Sequence, residues 1–287
     1  MRATTGERVF SIFNYTILFM GAVVCLFPFI HVLALSLSSE SAIISNKVTI
    51  FPVEMNTRAY ANALGNSSLI SSFKFTILLT VLGTIVNLFF TVIGAYPLSK
   101  RGLPGKNIVW IYILITMFIS GGLIPTYLVV KALGLINSIW ALILPQALST
   151  FNLIVMKTYF QTIPESLEES AKLDGCTDIG VLVKIILPLS IPIIAAMTLF
   201  YAVGHWNQFF SALIYINDSK KYTLQLRLRM MIPRDPGSLM LEGDMAEVPR
   251  ESLKAAAIIL SILPIIFVYP WMQKYFIKGM LIGSIKA

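Results

Sequence analysis

The sequence predicts an all-α, polytopic membrane protein with six transmembrane helices. Three observations carry that expectation. Hydrophobic residues fill 56% of the 287 positions and charged residues only 13%, against about 25% charged in a soluble domain. The apolar residues come in long blocks, without the period-2 or period-3.6 patterns of half-buried strands and helices. Six of those blocks reach the roughly 20 residues that a helix needs to cross about 30 Å of hydrocarbon.

The spans fall at about 14–38, 70–96, 107–130, 138–160, 186–216 and 254–276, in a single transmembrane domain covering 1–287. The fifth is long enough to tilt or kink. The first is too long for a cleavable signal peptide and ends without a small-x-small cleavage site. Cys25 lies inside the first span and Cys176 in a charged loop, so no structural disulfide is expected. The net charge of +8 fits basic residues flanking membrane helices. It lacks the clustering with aromatics that marks a nucleic-acid surface.

With six spans, both termini share a side. Placing them in the cytoplasm puts 11 of the 22 Lys and Arg inside and 11 outside. Short loops decide such ties. The tight connection Lys100-Arg101-Gly-Leu-Pro-Gly-Lys106 carries no acid, and the C-terminal tail is purely basic. Both favour termini inside; the basic residues of the 217–253 loop argue the other way.

Secondary transporters place Asp, Glu, Lys or Arg within their spans to carry ions. Here the middles of all six spans hold none, and His205 is the ionisable group nearest a span centre. A lone histidine there is either a proton relay or, more ordinarily, a hydrogen-bonded structural or pathway residue. The chain has no phosphate-binding glycine loop, no metal-ligand spacing and no catalytic triad pattern. Uphill transport would need a partner to supply energy.

The segment between the fourth and fifth spans, 161–185, carries the densest local signals. Thr162 is expected to cap a short helix with Pro164 near its first turn and acids at its N-terminal end. Gly175 is placed to stop that helix in the left-handed region, and Thr177 to cap the next one. A solvated amphipathic connector at the membrane interface reads equally well from helix chemistry alone.

The spacing separates the two. Glu169-Ser170-Ala171, three residues, Gly175, nine residues, then Ile185-x-Leu187-Pro188 resembles the EAA-x3-G-x9-I-x-L-P signature of ABC importer permeases, with Ser170 in place of the central alanine. Gly121-Gly122-Leu-Ile-Pro125-Thr-Tyr, Ala141-Leu-Ile-Leu-Pro145, His205-Trp206-Asn207 and Gln273-Lys-Tyr-Phe-Ile-Lys278-Gly279 are similar to the carbohydrate-uptake class, MalG-like, closest to its LplC/YtcP subgroup. The resemblance implies a MetI-like fold and a pore subunit that is not an enzyme. It implies four further things: a second related permease, two ATPase subunits, an extracytoplasmic solute-binding protein, and a bacterial cell membrane. This chain then needs no cofactor; ATP with Mg²⁺ sits on the ATPases. Glu168, Glu169, Ser170, Ala171, Leu173, Asp174, Gly175, Leu187 and Pro188 form the implied coupling surface.

The expected cargo is a sugar, an oligosaccharide by subgroup, moved by alternating access. Asn87, Thr91, Gln146, Asn152, His205, Trp206, Asn207 and Gln208 offer the amides, imidazole and indole that hydroxyls and sugar rings require, with Tyr201 nearby. Each alone serves equally as glue between helices, whereas the run 205–208 is denser than glue requires. Pro188, Pro192, Pro264 and Pro270 are expected kink sites. The outer 217–253 loop, with Tyr222, Leu224, Leu226, Arg227 and Arg229, reads as a pore cap or binding-protein receiver, extended at 224–229 or disordered. Two alternatives differ in test. A stand-alone channel passes solute without an ATPase, and a permease for another solute class is told apart by the ligand of its binding protein.

Overall fold

In the computed structural model, residues 5–232 and 251–284 are described. Residues 233–250 of the expected outer loop, and the terminal Arg2 and Lys286, lie outside the described residues. No strand occurs among the described residues. The helices are α1 (Thr5–Ser36), α2 (Glu40–Ile44), α3 (Arg58–Gly65), α4 (Ser67–Ser99), α5 (Lys106–Phe118), α6 (Leu123–Ala132), α7 (Trp140–Ile143), α8 (Thr150–Phe160), α9 (Glu165–Leu173), α10 (Asp178–Val181), α11 (Leu187–Leu189), α12 (Ile191–Trp206), α13 (Phe210–Tyr215), α14 (Leu224–Met230) and α15 (Glu251–Ser284).

Three helices are continuous, long and apolar enough to cross a bilayer: Phe10–Ser36, Ser67–Ser99 and Glu251–Val268. Three further candidates are bent pairs: α5 with α6 at 115°, Trp140–Gln146 with α8 at 55°, and Asp178–Leu189 with α12 at 82°. The expected third span, 107–130, is therefore broken at 119–122, where Gly122 takes φ +82° and the Gly-Gly pair lets the chain turn. The expected fifth span, 186–216, is likewise not one helix. It bends at Ser190, between Pro188 and Pro192, which lack the N–H that would continue the ladder. It stops at Trp206 and resumes as α13. Pro264 and Pro270, also expected kink sites, lie inside α15, which runs unbroken.

The chain forms two compact units. One takes in the residues up to Ile70 together with Leu228–Leu263. There α1 is exposed on every side from Phe10 to Ile30, as suits an apolar helix meant for lipid or protein neighbours. Its last turn packs Ala34 against Ala42 and Val48. The Glu40 carboxylate accepts from Glu251 N–H (3.1 Å), Ser252 N–H (3.4 Å) and Ser252 Oγ (2.7 Å), which caps the start of α15.

The second unit comprises Ser71–Arg227 and the residues from Pro264 on. Its organiser is α4, whose buried stripe reads Ser72, Thr76, Leu79, Gly83, Asn87, Thr91, Ala95, Leu98. Steps of three and four put these on one face. Small and polar residues let neighbouring backbones approach, the usual basis of helix packing in membranes. The opposite face (Ile77, Val81, Ile85, Phe89, Ile93) is exposed and wholly apolar.

Candidate functional site

Two constellations in the second unit bear on function. The first is built on α9. Pro164 (φ −58°) is its N-cap, and Thr162 does not cap it as expected. The Thr162 hydroxyl instead donates to Tyr159 O at 2.7 Å and closes the end of α8. Glu165 and Glu168 occupy the first turn, where the helix dipole favours negative charge. At the other end Gly175 adopts φ +82°. Cys176 N–H reaches Ala171 O (2.9 Å) and Gly175 N–H reaches Lys172 O (3.0 Å), a Schellman stop that satisfies the last carbonyls. Thr177 Oγ1 then accepts from Gly180 N–H at 3.2 Å and caps α10.

Ion pairs fix this segment to the far end of α4. Lys100 Nζ bonds the Glu168 carboxylate and sits 4.1 Å over the Tyr96 ring; Arg101 Nε lies 3.1 Å from Glu165 Oε1. Lys172 Nζ meets Asp178 Oδ1 at 2.8 Å across the Gly175 turn. That contact lowers the Asp178 carboxyl below its ordinary range and raises the Lys172 ammonium. Ala171 is buried with Tyr96, Leu98, Phe160, Val181 and Ile186. Glu169, Ser170, Leu173 and Asp174 face outward; Leu173 is 89% exposed and Ile179 75%. Leu187 and Pro188 follow a π-helical turn, Leu182–Ile186, and precede the Ser190 bend. π-turns recur at functional positions. Sequence reasoning passed over Lys100 and Arg101 as site residues, and Ile179 entirely. The acid-free basic loop facing an acid-rich helix was the available signal for the first two.

The second constellation lies among α4, α8 and α12. His205 Nε2 is 2.9 Å from Asn87 Oδ1, and Nδ1 is 3.5 Å from Gln208 Oε1. Both amides are oriented by backbone carbonyls, since Asn87 Nδ2 donates to Gln146 O (2.5 Å) and Gln208 Nε2 to Leu142 O (3.0 Å). Thr91 Oγ1 bonds Tyr201 Oη at 2.7 Å. A cavity of about 380 Å³ opens beside them, lined by Asn87, Gln146, Asn152, Tyr201, Gly204 and His205 among others. A Cβ on Gly83 would lie 2.5 Å from the imidazole, so the ring's position depends on that glycine.

The expected pathway residues are thus partly gathered. Asn87, Gln146, Asn152 and His205 share the cavity, and Gln208 joins through His205. Trp206 instead packs edge-on against Phe73 at 5.7 Å. Asn207, the exposed C-cap of α12, donates to Val203 O at 3.0 Å. His205 lies in the last turn of α12, beside Gly83 and Asn87, midway along α4. The stretch 224–229, expected to be extended or disordered, is helical, with Leu224 and Leu226 buried. Leu224 N–H bonds Thr76 Oγ1 at 2.8 Å.

The chain is 46% identical over 294 residues to protein LplC of Bacillus subtilis, covering 100% of this chain and 98% of that one. It is 44% identical to the polygalacturonan/rhamnogalacturonan transport system permease protein YtcP of the same organism, covering 98% and 99%. Among solved structures, a chain of a bacterial ABC transporter involved in the import of the acidic polysaccharide alginate superposes with a TM-score of 0.89 at 33% identity, covering 96% and 99%. A family model matches residues 105–282, which include both constellations except Asn87, Thr91 and the end of α4. On these grounds the chain belongs to the binding-protein-dependent transport system inner membrane component family, the non-catalytic permease subunits of ABC importers.

Proposed function

We propose that this chain lines half of the pore of an ATP-driven oligosaccharide importer, opposite a second, related permease. Two ATPase subunits act from the cytoplasm and a loaded solute-binding protein delivers cargo from outside; both termini are cytoplasmic. One relative is a polygalacturonan/rhamnogalacturonan transport permease, and the structural neighbour takes part in import of the acidic polysaccharide alginate. Fragments of such acidic polymers are the cargo class we assign.

The observation that carries this reading is the construction of α9. It is stopped at a left-handed glycine, pinned by Lys100 and Arg101 to the end of α4, and turns Glu169, Leu173 and Asp174 outward. A helix held on one side and bare on the other suits a lever pressed into a cleft of an ATPase. Closure of the ATPases on ATP pulls α9. The pull passes through the π-helical turn and the Ser190 bend into α12, which carries His205 and one wall of the cavity. Rigid-body motion of packed helices then opens the cavity to the other side. The amides, the imidazole and the Tyr201 hydroxyl there match sugar hydroxyls.

The test uses the whole complex in proteoliposomes. Glu169→Ala with Leu173→Ala is expected to lower ATPase stimulation by the loaded binding protein about tenfold while the subunits still assemble. Undiminished stimulation would overturn the lever. Gly204→Leu probes the pathway separately. Its Cβ meets nothing within 4 Å, so it narrows the cavity without strain and should cut sugar uptake more than ATPase activity.

A further inference from the structure

Three Lys and Arg side chains at the α9 end of α4 contrast with those gathered at its other end. At the α9 end, each of Lys100, Arg101 and Lys172 is paired with a carboxylate. From Ser72 to Lys100 the helix rises roughly 42 Å at about 1.5 Å per residue, so residues at its N-terminal end lie across the membrane from α9. There the chain from Ser219 to Arg227 folds back over α4. Ser71 Oγ donates to Lys220 O (3.3 Å), and Leu224 N–H to Thr76 Oγ1 (2.8 Å). None of the cations this fold collects has a carboxylate partner among the described residues. The Arg227 guanidinium is half-buried and held by neutral groups: Ser72 Oγ (3.3 Å), Ser219 O (2.6 Å) and the Tyr222 ring (5.1 Å). Lys221 Nζ donates to Asn137 O at 2.9 Å, and the Lys220 side chain stands in solvent. The nearest acid in sequence, Asp218, turns its carboxylate back onto Lys220 N–H (2.9 Å).

We infer that this face, built from Lys220, Lys221 and Arg227, receives the carboxylates of an anionic sugar chain as it enters the pore. The inference rests on the acidic-cargo and orientation readings above and names the residues that act on them. Cations without a carboxylate partner among the described residues of an outer face run against the inward bias of Lys and Arg, so membrane topology does not account for them. Fixed cations attract a charged ligand as the binding protein releases it and raise its entry rate, an effect that salt screens. The face also connects physically to the cavity. Thr223 Oγ1 donates to Gln208 O at 2.8 Å, and the Gln208 side chain contacts His205.

The experiment measures uptake by the reconstituted importer with saturating, pre-loaded binding protein, using trigalacturonate and its fully methyl-esterified counterpart. Lys220→Gln touches only an exposed side chain; Arg227→Gln is the second variant. Trigalacturonate uptake is expected to fall about tenfold in either variant, with uptake of the ester unchanged. The wild-type preference for the acid should collapse in high salt. Equal losses for acid and ester would overturn the inference, as would no loss. So would a parallel loss of docking by sugar-free binding protein, which would hand the face to that protein. Wild-type importer that carries the ester and refuses the acid would sink the cargo reading itself. Uptake of the acid that is indifferent to the variants leaves that reading standing and removes this inference alone.

Discussion

The α9 segment and the His205 cluster sit in one unit but are made from opposite materials. The segment is charged, outward-facing and organised by near neighbours in sequence: Pro164, Gly175 and Thr177 set its ends within 14 residues. The cluster is neutral, buried and assembled from distant positions, with 118 residues between Asn87 and His205. A part that grips another protein needs exposed groups on a defined backbone, and short-range rules supply those. A part that lines a path through lipid needs polar groups away from hydrocarbon. Only helix packing provides that.

The contrast sets the order of expected effects. The largest belongs to the cluster. Gly83→Ala drives a methyl into the imidazole and should cost about 1–3 kcal/mol, read as a lower Tm of the purified complex. In a His205→Ala background the same change should cost little; an equal cost there would mean that the glycine serves something other than the ring. Next comes the anchor of α9. Glu168→Gln leaves Lys100 without its carboxylate, at side-chain exposures of 27% and 15%. Partial solvation holds the loss to about 1–2 kcal/mol. It should appear as faster proteolysis of the 161–177 stretch, and Lys100→Glu with Glu168→Lys should restore protection.

The smallest effect belongs to Lys172–Asp178, both fully exposed. Asp178 titrates below its ordinary value, so the pair's contribution is complete above the usual carboxylate range and fades as pH falls through the lowered value. Lys172 titrates above its ordinary value, so the contribution is lost again only as pH rises through that raised value. Hydrogen-exchange protection of the turn around Gly175 should therefore be flat from about pH 6 to 8. A step inside that window would show another titrating group at work.

Much of the first constellation could be read directly. Gly175 stops α9 and Thr177 caps α10 because glycine tolerates positive φ and a hydroxyl reaches an N–H three residues on, whatever the rest of the chain does. Thr162 misled because Pro164 can itself occupy the N-cap, freeing the hydroxyl for the preceding turn. Helix continuity within the spans misled for a related reason. Hydropathy records whether a residue suits lipid, and Ser190 or Gly122 can turn a chain without interrupting an apolar block.

By itself the sequence determined that this protein lives in a membrane, has no motor of its own, and carries a helix–glycine–helix segment with a fixed spacing to Leu187-Pro188. Those properties depend on composition and on contacts a few residues apart. Tertiary structure alone decided that Lys100 and Arg101 hold α9, and that Gly83 makes room for His205. It also decided that Trp206 and Asn207 leave the cluster their neighbours join, and that Lys220, Lys221 and Arg227 meet no carboxylate among the described residues. Each of these depends on which face of a helix meets which partner, and no pattern within one helix records the partner.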